Sequence, residues 1–245
     1  MSGSLRIVGL GPGDPALTTP ETLDALAGAT DLVGYAPYLD RVPQRANQVR
    51  HGSDNRVELE RARQAWSLAA AGRRVALVSG GDPGVFAMAS AAFEALDGGD
   101  PAWHGVDVAV LPGVSALLAA AARLGAPLGH DFCAVSLSDN LKPWETVLAR
   151  VRAAAGAGFV LALFNPASRA RPWQLAAALD ALRPLLPGAT PVAFATAVTR
   201  PDEHLHVTTL AAADPARADM RTLVLVGSAA TRSVGRWLYT PRSAA

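Results

Sequence analysis

In its first half, the chain alternates short, continuously apolar runs with segments of helical pattern. Strands are predicted at 5–9, 31–34, 75–79 and 106–111, and helices at 22–29, 58–71 and 85–96. The first of these helices is introduced by Thr19, Pro20 and Glu21, which supply a cap, a first-turn proline and an acid. Continuously apolar strands alternate with helices where a parallel sheet is covered on both faces. The sequence therefore predicts an α/β fold.

Beyond residue 112 the pattern changes. A helix is predicted at 115–124, an irregular region at 130–144, and strands at 159–164, 191–195, 205–209 and 222–226. Only a short connection separates the last residues of the second strand from the start of the third, which favours antiparallel neighbours and so a mixed sheet. We expect two α/β domains, residues 1–112 with a mainly parallel sheet and residues 113–245 with a mixed sheet.

Composition excludes several classes of partner. Half of the 245 residues are hydrophobic, which is ample for packed cores. Since 22 Lys and Arg face 21 Asp and Glu, the chain lacks the global field of a nucleic-acid-binding or membrane-surface protein. The single cysteine, Cys133, excludes an internal disulfide, and neither a signal peptide nor a membrane span is predicted. These features favour a cytoplasmic protein with no nucleic-acid or membrane partner.

Glycine-rich loops follow three of the predicted strands, at 9–14, 80–84 and 112–115. Ligands of open α/β sheets bind at the carboxyl ends of the strands, which favours one cleft lined by these loops. The alternative is that the glycines only make tight turns. The first loop lacks the third glycine of a dinucleotide fingerprint and has Pro12 and Asp14 where a phosphate would approach. Asp82, in the second loop, would repel a phosphate and suits a cationic ligand such as S-adenosylmethionine.

Six motifs span nearly the whole chain: GLGPGDP at 9–15, SGGDPGVFAM at 79–88, LPGVSA at 111–116, GAPLGHDFCAVSLSD at 125–139, LFNPASRAR at 163–171 and DMRTLVLVGS at 219–228. In this order and spacing they closely resemble the tetrapyrrole (corrin/porphyrin) methyltransferases of corrin biosynthesis. The resemblance implies the tetrapyrrole methylase fold, in which two α/β domains hold the cofactor and substrate in the cleft between them. It also implies a homodimer.

The HDF…SLSD and NP-S-R signatures look most like family members that methylate C17 and contract the ring. The implied reaction is S-adenosylmethionine-dependent methylation of precorrin-3B at C17 with ring contraction to precorrin-4, in cobalamin biosynthesis, with S-adenosylhomocysteine as product. Enamine-like carbons of a reduced tetrapyrrole attack an electron-poor methyl group directly, so alignment and exclusion of water matter more than a strong base. The same methylation of cobalt-factor III, and a non-catalytic tetrapyrrole carrier, remain alternatives.

Family contacts to S-adenosylmethionine carry over onto residues in both halves of the chain: Pro12, Gly80, Gly81, Asp82, Val85, Ser115, Ala116, Asn165, Ala195 and Thr196. Relatives often have glycine where Ala195 stands, and its added methyl group changes the approach open to the adenine. Ala36 stands where relatives that methylate uroporphyrinogen III have an acid. This difference argues against uroporphyrinogen III as the substrate.

The substrate class also predicts cations and a proton-transfer group. Arginine forks suit a polycarboxylate, and the candidates are Arg41, Arg45, Arg50, Arg169 and Arg171. For the arginine run at 41–56, a solvated loop face is the alternative. Ring contraction requires a group that moves a proton or polarises an oxygen, and the candidates are Asp14, His51, Ser138 and Asp139. No metal site is predicted, because His204 and His206 lack a third ligand at a recognisable spacing.

Overall fold

The computed structural model describes residues 3–243 and divides the chain into two compact units. The first unit ends at Ser115 and the second begins at Ala116, a few residues after the boundary predicted between 112 and 113. Over the described residues, no helix is long and apolar enough to cross a membrane. In the same part of the chain, no group of three or more His, Cys, Asp or Glu side chains could hold a metal ion.

The first unit is built on a five-stranded parallel sheet with strand order β3-β2-β4-β1-β5. The strands are β1 (Ser4–Gly9), β2 (Asp31–Tyr35), β3 (Val49–Ser53), β4 (Arg74–Ser79) and β5 (Asp107–Leu111). The helices are α1 (Pro20–Gly28), α2 (Ala36–Leu39), α3 (Glu58–Ala70) and α4 (Met88–Asp97). Because all five strands run the same way, the loops that follow them lie at one edge of the sheet.

Helices cover both faces of this sheet. On one face, α3 and α4 pack around Trp66, which is fully buried and donates its indole N–H to the Ala92 carbonyl at 2.8 Å. Burying such a side chain contributes about 2–3 kcal/mol. On the other face, α1 and α2 bury Leu26 and Leu39 against the sheet. The α1 helix begins as predicted, with the Thr19 hydroxyl accepting the N–H of its first turn.

The second unit contains a five-stranded mixed sheet with order β10-β9-β11-β8-β7 and a small sheet with order β12-β13-β6. The strands are β6 (Gly125–Ala126), β7 (Phe132–Ser136), β8 (Val160–Phe164), β9 (Pro191–Thr196), β10 (His204–Thr209), β11 (Thr222–Val226), β12 (Arg232–Val234) and β13 (Trp237–Tyr239). The helices are α5 (Ala116–Leu124), α6 (Trp144–Gly156) and α7 (Gln174–Leu182).

Three strands of the mixed sheet share one direction. β7 is parallel to β8, while β11 is antiparallel to both β8 and β9. The carboxyl ends of β7, β8 and β9, at Ser136, Phe164 and Thr196, therefore lie at the same edge. The core of the unit joins α6 and α7 to the sheet through Val147 and Leu175 among other side chains.

Five strands occur where none was predicted: β3, β7 and the three strands of the small sheet, β6, β12 and β13. β3 lies in the arginine-rich segment and reads VRHGS, an edge strand without the apolar run that predicts a buried one. β7 lies inside the region predicted to be irregular. The helix predicted from residue 85 begins at Met88, because Phe86 has a left-handed φ of 52° that a right-handed helix cannot include.

Candidate active site

At the carboxyl edge of the first unit, the loops after β1 and β4 are joined by main-chain hydrogen bonds. The N–H of Gly11 donates to the Gly81 carbonyl at 3.1 Å, and the N–H of Gly81 donates back to the Gly11 carbonyl at 2.9 Å. The N–H of Leu10 also donates to the Ser79 carbonyl at 3.0 Å. These bonds fix the two glycine loops side by side, as expected for loops after neighbouring strands.

Close approach of the main chain explains two of the glycines in these loops. A Cβ atom on Gly9 would lie 2.5 Å from the Gly81 carbonyl oxygen, and one on Gly113 would lie 2.3 Å from the same oxygen. Either distance is too short for any other residue to fit without moving a loop. Gly81 itself has a φ of 62°, and the space where its Cβ would lie is open within 4 Å. The loops therefore present a main-chain surface with room above Gly81.

The carboxylate of Asp82 ties the second loop to the third. Its Oδ1 accepts the N–H of Gly84 at 2.8 Å, and its Oδ2 accepts the N–H of Gly113 at 3.0 Å. Each carboxylate oxygen therefore accepts one main-chain N–H group. Asp82 is thus a cross-brace between two loops of the first unit, which explains an acid in a glycine-rich turn.

The segment after Asp82 runs through a turn and three bend residues before α4 begins. Phe86 is half exposed and adopts a left-handed φ of 52°. The N–H of Val85 lies 3.3 Å from the Asp82 carbonyl, and the N–H of Ala89 donates to the Pro83 carbonyl at 2.9 Å. A non-glycine residue held in this conformation costs free energy and is typical of functional loops.

The first loop is held by Arg41 and Asp14. The Arg41 guanidinium donates to the carbonyls of Leu10 at 3.0 Å and Gly11 at 3.1 Å, the two residues that precede Pro12. The Asp14 carboxylate accepts the N–H of Ala16 at 2.9 Å and so caps a short 3₁₀ helix. Both side chains shape the loop at the same edge as Asp82.

The other predicted residues of the first unit have different surroundings. The Arg50 guanidinium donates to three carbonyls, those of Leu39 and Val42 at 2.7 Å and of Pro43 at 2.9 Å. Arg45 is exposed, and Ser115, after β5, is buried.

His51 lies in β3 and binds a buried acid at the start of β2. Its Nε2 is 2.9 Å from Oδ1 of Asp31, which is 2% exposed and also accepts from Arg73 at 2.8 Å. Burial alone would raise the pKa of the Asp31 carboxyl, but hydrogen bonds from His51, Arg73 and Thr30 lower it below its ordinary value. The structure therefore places His51 in a hydrogen-bonded network with Asp31 and Arg73.

Sequence reasoning missed Arg61, a buried cation on α3. It is 4% exposed and donates to the Ser53 hydroxyl at 2.8 Å, to the Asp54 carbonyl at 2.6 Å and to the Met88 sulfur at 3.3 Å. Burial lowers the pKa of its guanidinium. Arg61 thereby links the end of β3 to the start of α4. No local pattern distinguishes it from Arg63, the exposed arginine of the same helix.

In the second unit, polar side chains cluster where β7 and β8 end. Nδ2 of Asn165 donates to the Ser136 hydroxyl at 3.0 Å, and the N–H of Ser138 donates to the same oxygen at 3.3 Å. Arg171 is buried and donates to the Asn165 carbonyl at 3.1 Å. Asn165 has a φ of 52°, a conformation that asparagine tolerates better than most residues. We call Ser136, Ser138, Asp139, Asn165, Arg171 and Gln174 the polar cluster.

Gln174, at the start of α7, was also missed by sequence reasoning. Its Nε2 donates to Oδ2 of Asp139 at 3.1 Å. Between the two ends of the cluster, Ser168 and Arg171 exchange two main-chain hydrogen bonds of 3.0 and 3.1 Å, and Arg169 is exposed in the turn they close. The structure thus brings together four residues predicted for different roles: Ser138, Asp139, Asn165 and Arg171.

The remaining candidates of this unit lie on β9 and α5. Ala195 is 1% exposed and pairs in the sheet with Leu205 and Leu223, while the Thr196 hydroxyl lies 2.8 Å from the Thr222 hydroxyl. Ala116 is the first residue of α5. Thr196 ends its strand at the same sheet edge as the polar cluster.

Fold and motifs agree with known proteins. The chain belongs to the tetrapyrrole (corrin/porphyrin) methylases, a family that matches residues 4–214. It is 56% identical over 247 residues to the precorrin-3B C(17)-methyltransferase of Sinorhizobium sp., covering 99% of this chain and 97% of that protein. The predicted α/β fold and the resemblance to this family are confirmed.

Solved structures agree with this assignment. The crystal structure of the methyltransferase CobJ superposes with a TM-score of 0.95 at 54% identity, covering 98% of this chain and 100% of that one. Uroporphyrin-III C-methyl transferase from Thermus thermophilus, complexed with S-adenyl homocysteine, superposes with a TM-score of 0.66 at 26% identity, and 92% of each chain is covered. Together, the two likenesses define a methyltransferase fold.

Proposed function

We propose that this chain methylates precorrin-3B at C17 with S-adenosylmethionine and contracts the ring to give precorrin-4, in cobalamin biosynthesis. The observation that carries the proposal is the 56% identity, over nearly the full length of both chains, to a precorrin-3B C(17)-methyltransferase. Ala36 supports it, since relatives that act on uroporphyrinogen III have an acid there. The GGDP turn at 80–83 counts against a carrier, which would bind the macrocycle without the methyl donor.

The loops of the first unit fit S-adenosylmethionine. They offer main-chain groups, an open space above Gly81 and a carboxylate held in place by the N–H groups of Gly84 and Gly113. When bound, S-adenosylmethionine supplies an electron-poor methyl group on a sulfonium. We propose that Gly80, Gly81 and Val85 line this ligand, with Asp82 fixing their path, and that Pro12 and Ser115 bound it on the flanking loops. Ala116, Asn165, Ala195 and Thr196 are proposed as contacts contributed by the second unit.

The polar cluster is proposed to act on the tetrapyrrole. Ring contraction needs a group that takes a proton from a substrate oxygen, and the half-buried Asp139 carboxylate suits that role. Ser138, next to it, is proposed to hydrogen-bond the same oxygen. Asp14 and His51 are proposed as further candidates for proton transfer; Asp14 caps a short helix and His51 hydrogen-bonds Asp31.

Carboxylates of the substrate need exposed cations. Arg45 and Arg169 are exposed, and we propose that they pair with substrate carboxylates. Arg41, Arg50 and Arg171 donate to main-chain carbonyls, and we propose that they act mainly by fixing the loops around the substrate. A cytoplasmic homodimer is proposed as well. The location rests on composition, and the dimer on the family resemblance.

The direct test is turnover of precorrin-3B by the purified protein with S-adenosylmethionine, followed by mass spectrometry and by absorbance of the macrocycle. We expect one methyl group to be added and the spectrum to change with ring contraction. Cobalt-factor III is the comparison substrate. Faster turnover of cobalt-factor III would replace the proposed substrate by the cobalt-bearing one. Binding of either tetrapyrrole without methyl transfer would contradict the methylation and favour a carrier.

A further inference from the structure

Gln174 is a buried polar side chain at the point where α7 begins. It is 1% exposed, and the residue that follows it, Leu175, belongs to the apolar core of the second unit. The Gln174 amide reaches from α7 to the loop after β7 and donates to Oδ2 of Asp139 at 3.1 Å. The two residues are 35 positions apart in the chain, so this hydrogen bond anchors a loop that has no strand or helix of its own.

Burial makes this amide costly. Within residues 3–243, Oε1 of Gln174 has no hydrogen-bond partner although it is buried. An unsatisfied buried acceptor destabilises a fold, because the group has lost its hydrogen bonds to water without replacement. An apolar side chain of similar volume at this position would carry no such cost, and volume-conserving substitutions are the ones that cores tolerate best. The stability of the fold therefore does not explain the amide, whereas its contact with Asp139 does.

The hydrogen bond leaves part of the carboxylate available. Only Oδ2 of Asp139 accepts from Gln174, and within the described chain Oδ1 accepts no hydrogen bond. Asp139 is half buried, which restricts its side-chain rotation less than full burial would. A fixed donor on one oxygen orients the other, as the orienting group of a catalytic base does in general.

We infer that Gln174 is a positioning residue for Asp139, holding Oδ2 so that Oδ1 faces the substrate oxygen that loses its proton. This inference rests on the proposed function, in which Asp139 accepts that proton. Gln174 acts through the carboxylate and does not itself touch the reacting atoms. Its removal therefore lowers the rate of turnover and leaves the affinity for the methyl donor unchanged.

A double-mutant cycle tests the inference. Gln174→Met keeps the volume and removes the donor, Asp139→Asn removes the base, and the third variant combines both. We expect Gln174→Met to lower kcat for precorrin-3B about tenfold, with the KM for S-adenosylmethionine unchanged. In the Asp139→Asn background the same substitution should change kcat less than twofold, because the group it positions is gone.

Gln48→Met is the matched control. Gln48 also has a buried Oε1 without a partner, and its Nε2 donates to the carbonyls of Leu26 and Ala29 in the first unit. We expect Gln48→Met to lower the melting temperature without changing kcat at a temperature where the variant is folded.

The outcomes separate the inference from the proposed function. An equal loss of kcat from Gln174→Met in both backgrounds, or no loss in either, would overturn the positioning role alone. If Asp139→Asn keeps full kcat, Asp139 is not the base and the inference fails with it, while methylation stands. A wild-type protein that does not methylate precorrin-3B overturns the proposed function and the inference that rests on it.

Discussion

The two units build their candidate sites from different materials. In the first unit the edge is made of main-chain groups, with Gly9 and Gly113 packed too closely against the Gly81 carbonyl for side chains and Asp82 bracing the loops. In the second unit the edge is made of side chains that hydrogen-bond one another across the ends of β7 and β8. Where main-chain groups pack this closely, an added side-chain atom must displace a loop. In a cluster of side chains, a substitution removes only the hydrogen bonds of the residue that is changed.

The largest effect should follow from adding one methyl group to the first unit. Gly113→Ala would place a Cβ 2.3 Å from the Gly81 carbonyl oxygen, so the two loops must separate. We expect the Kd for S-adenosylhomocysteine to rise roughly a hundredfold, equivalent to about 2–3 kcal/mol, as measured by calorimetry. Gly28→Ala is the control, since nothing lies within 4 Å of the added atom. If Gly113→Ala and Gly28→Ala bind S-adenosylhomocysteine equally well, close packing of the main chain in the first unit does not control ligand binding.

Loss of the brace should have the next largest effect. Asp82→Ala removes the acceptor of two N–H groups, and we expect the Kd for S-adenosylhomocysteine to rise roughly tenfold to thirtyfold. Asp82→Asn keeps one oxygen acceptor and should fall between the alanine variant and the wild type. If Asp82 instead contacts the cationic ligand through its charge, Asp82→Asn should be as weak as Asp82→Ala.

A substitution in the polar cluster should have a smaller effect, and it should act on the stability of the second unit. Asn165→Ala loses the hydrogen bond to Ser136 and keeps a strained φ of 52°, so we expect the free energy of unfolding to fall by about 1–2 kcal/mol. Asn165→Gly loses the same hydrogen bond but relieves the backbone, and should be the more stable variant of the two. Urea denaturation measures both. The reverse order of stability would show that the backbone at 165 is not strained.

The smallest effect concerns Asp31 and depends on pH. Its folded-state pKa is lowered below the ordinary 3.8, so its stabilising contribution is present above that pH and is lost as the pH falls through the folded-state value. Asp31→Asn should therefore be less stable than the wild type by about 1 kcal/mol at pH 7. Denaturation at several pH values should show this difference shrinking below pH 4. A difference that is independent of pH would exclude the charge of Asp31 as its source.

The contrast between the units also explains what the sequence could predict. Apolar runs and glycine loops are local patterns, so the strands that precede 9–14 and 80–84, and the loops themselves, could be predicted. β3 could not, because an edge strand with Arg50 and His51 has no apolar run. The pairing of Gln174 with Asp139 could not be predicted either, since no local pattern connects residues 35 positions apart.

Roles of charged side chains were the hardest to predict. The arginines at 41 and 50 occur in one basic segment, and composition alone does not distinguish a substrate contact from a donor to main-chain carbonyls. Arg61 shares its helix with the exposed Arg63 and is buried because Ser53 and Met88 lie beside it in the folded unit. Charge identifies a candidate, but the partner that decides its role comes from the tertiary structure.

The central claim is that the glycine loops of the first unit bind the methyl donor. Calorimetry of the wild-type protein with S-adenosylhomocysteine, with NADH as the control nucleotide, tests it most directly. We predict one site per chain for S-adenosylhomocysteine and no heat of binding for NADH. Binding of NADH with no binding of S-adenosylhomocysteine would contradict the claim and would show that the protein binds a different nucleotide.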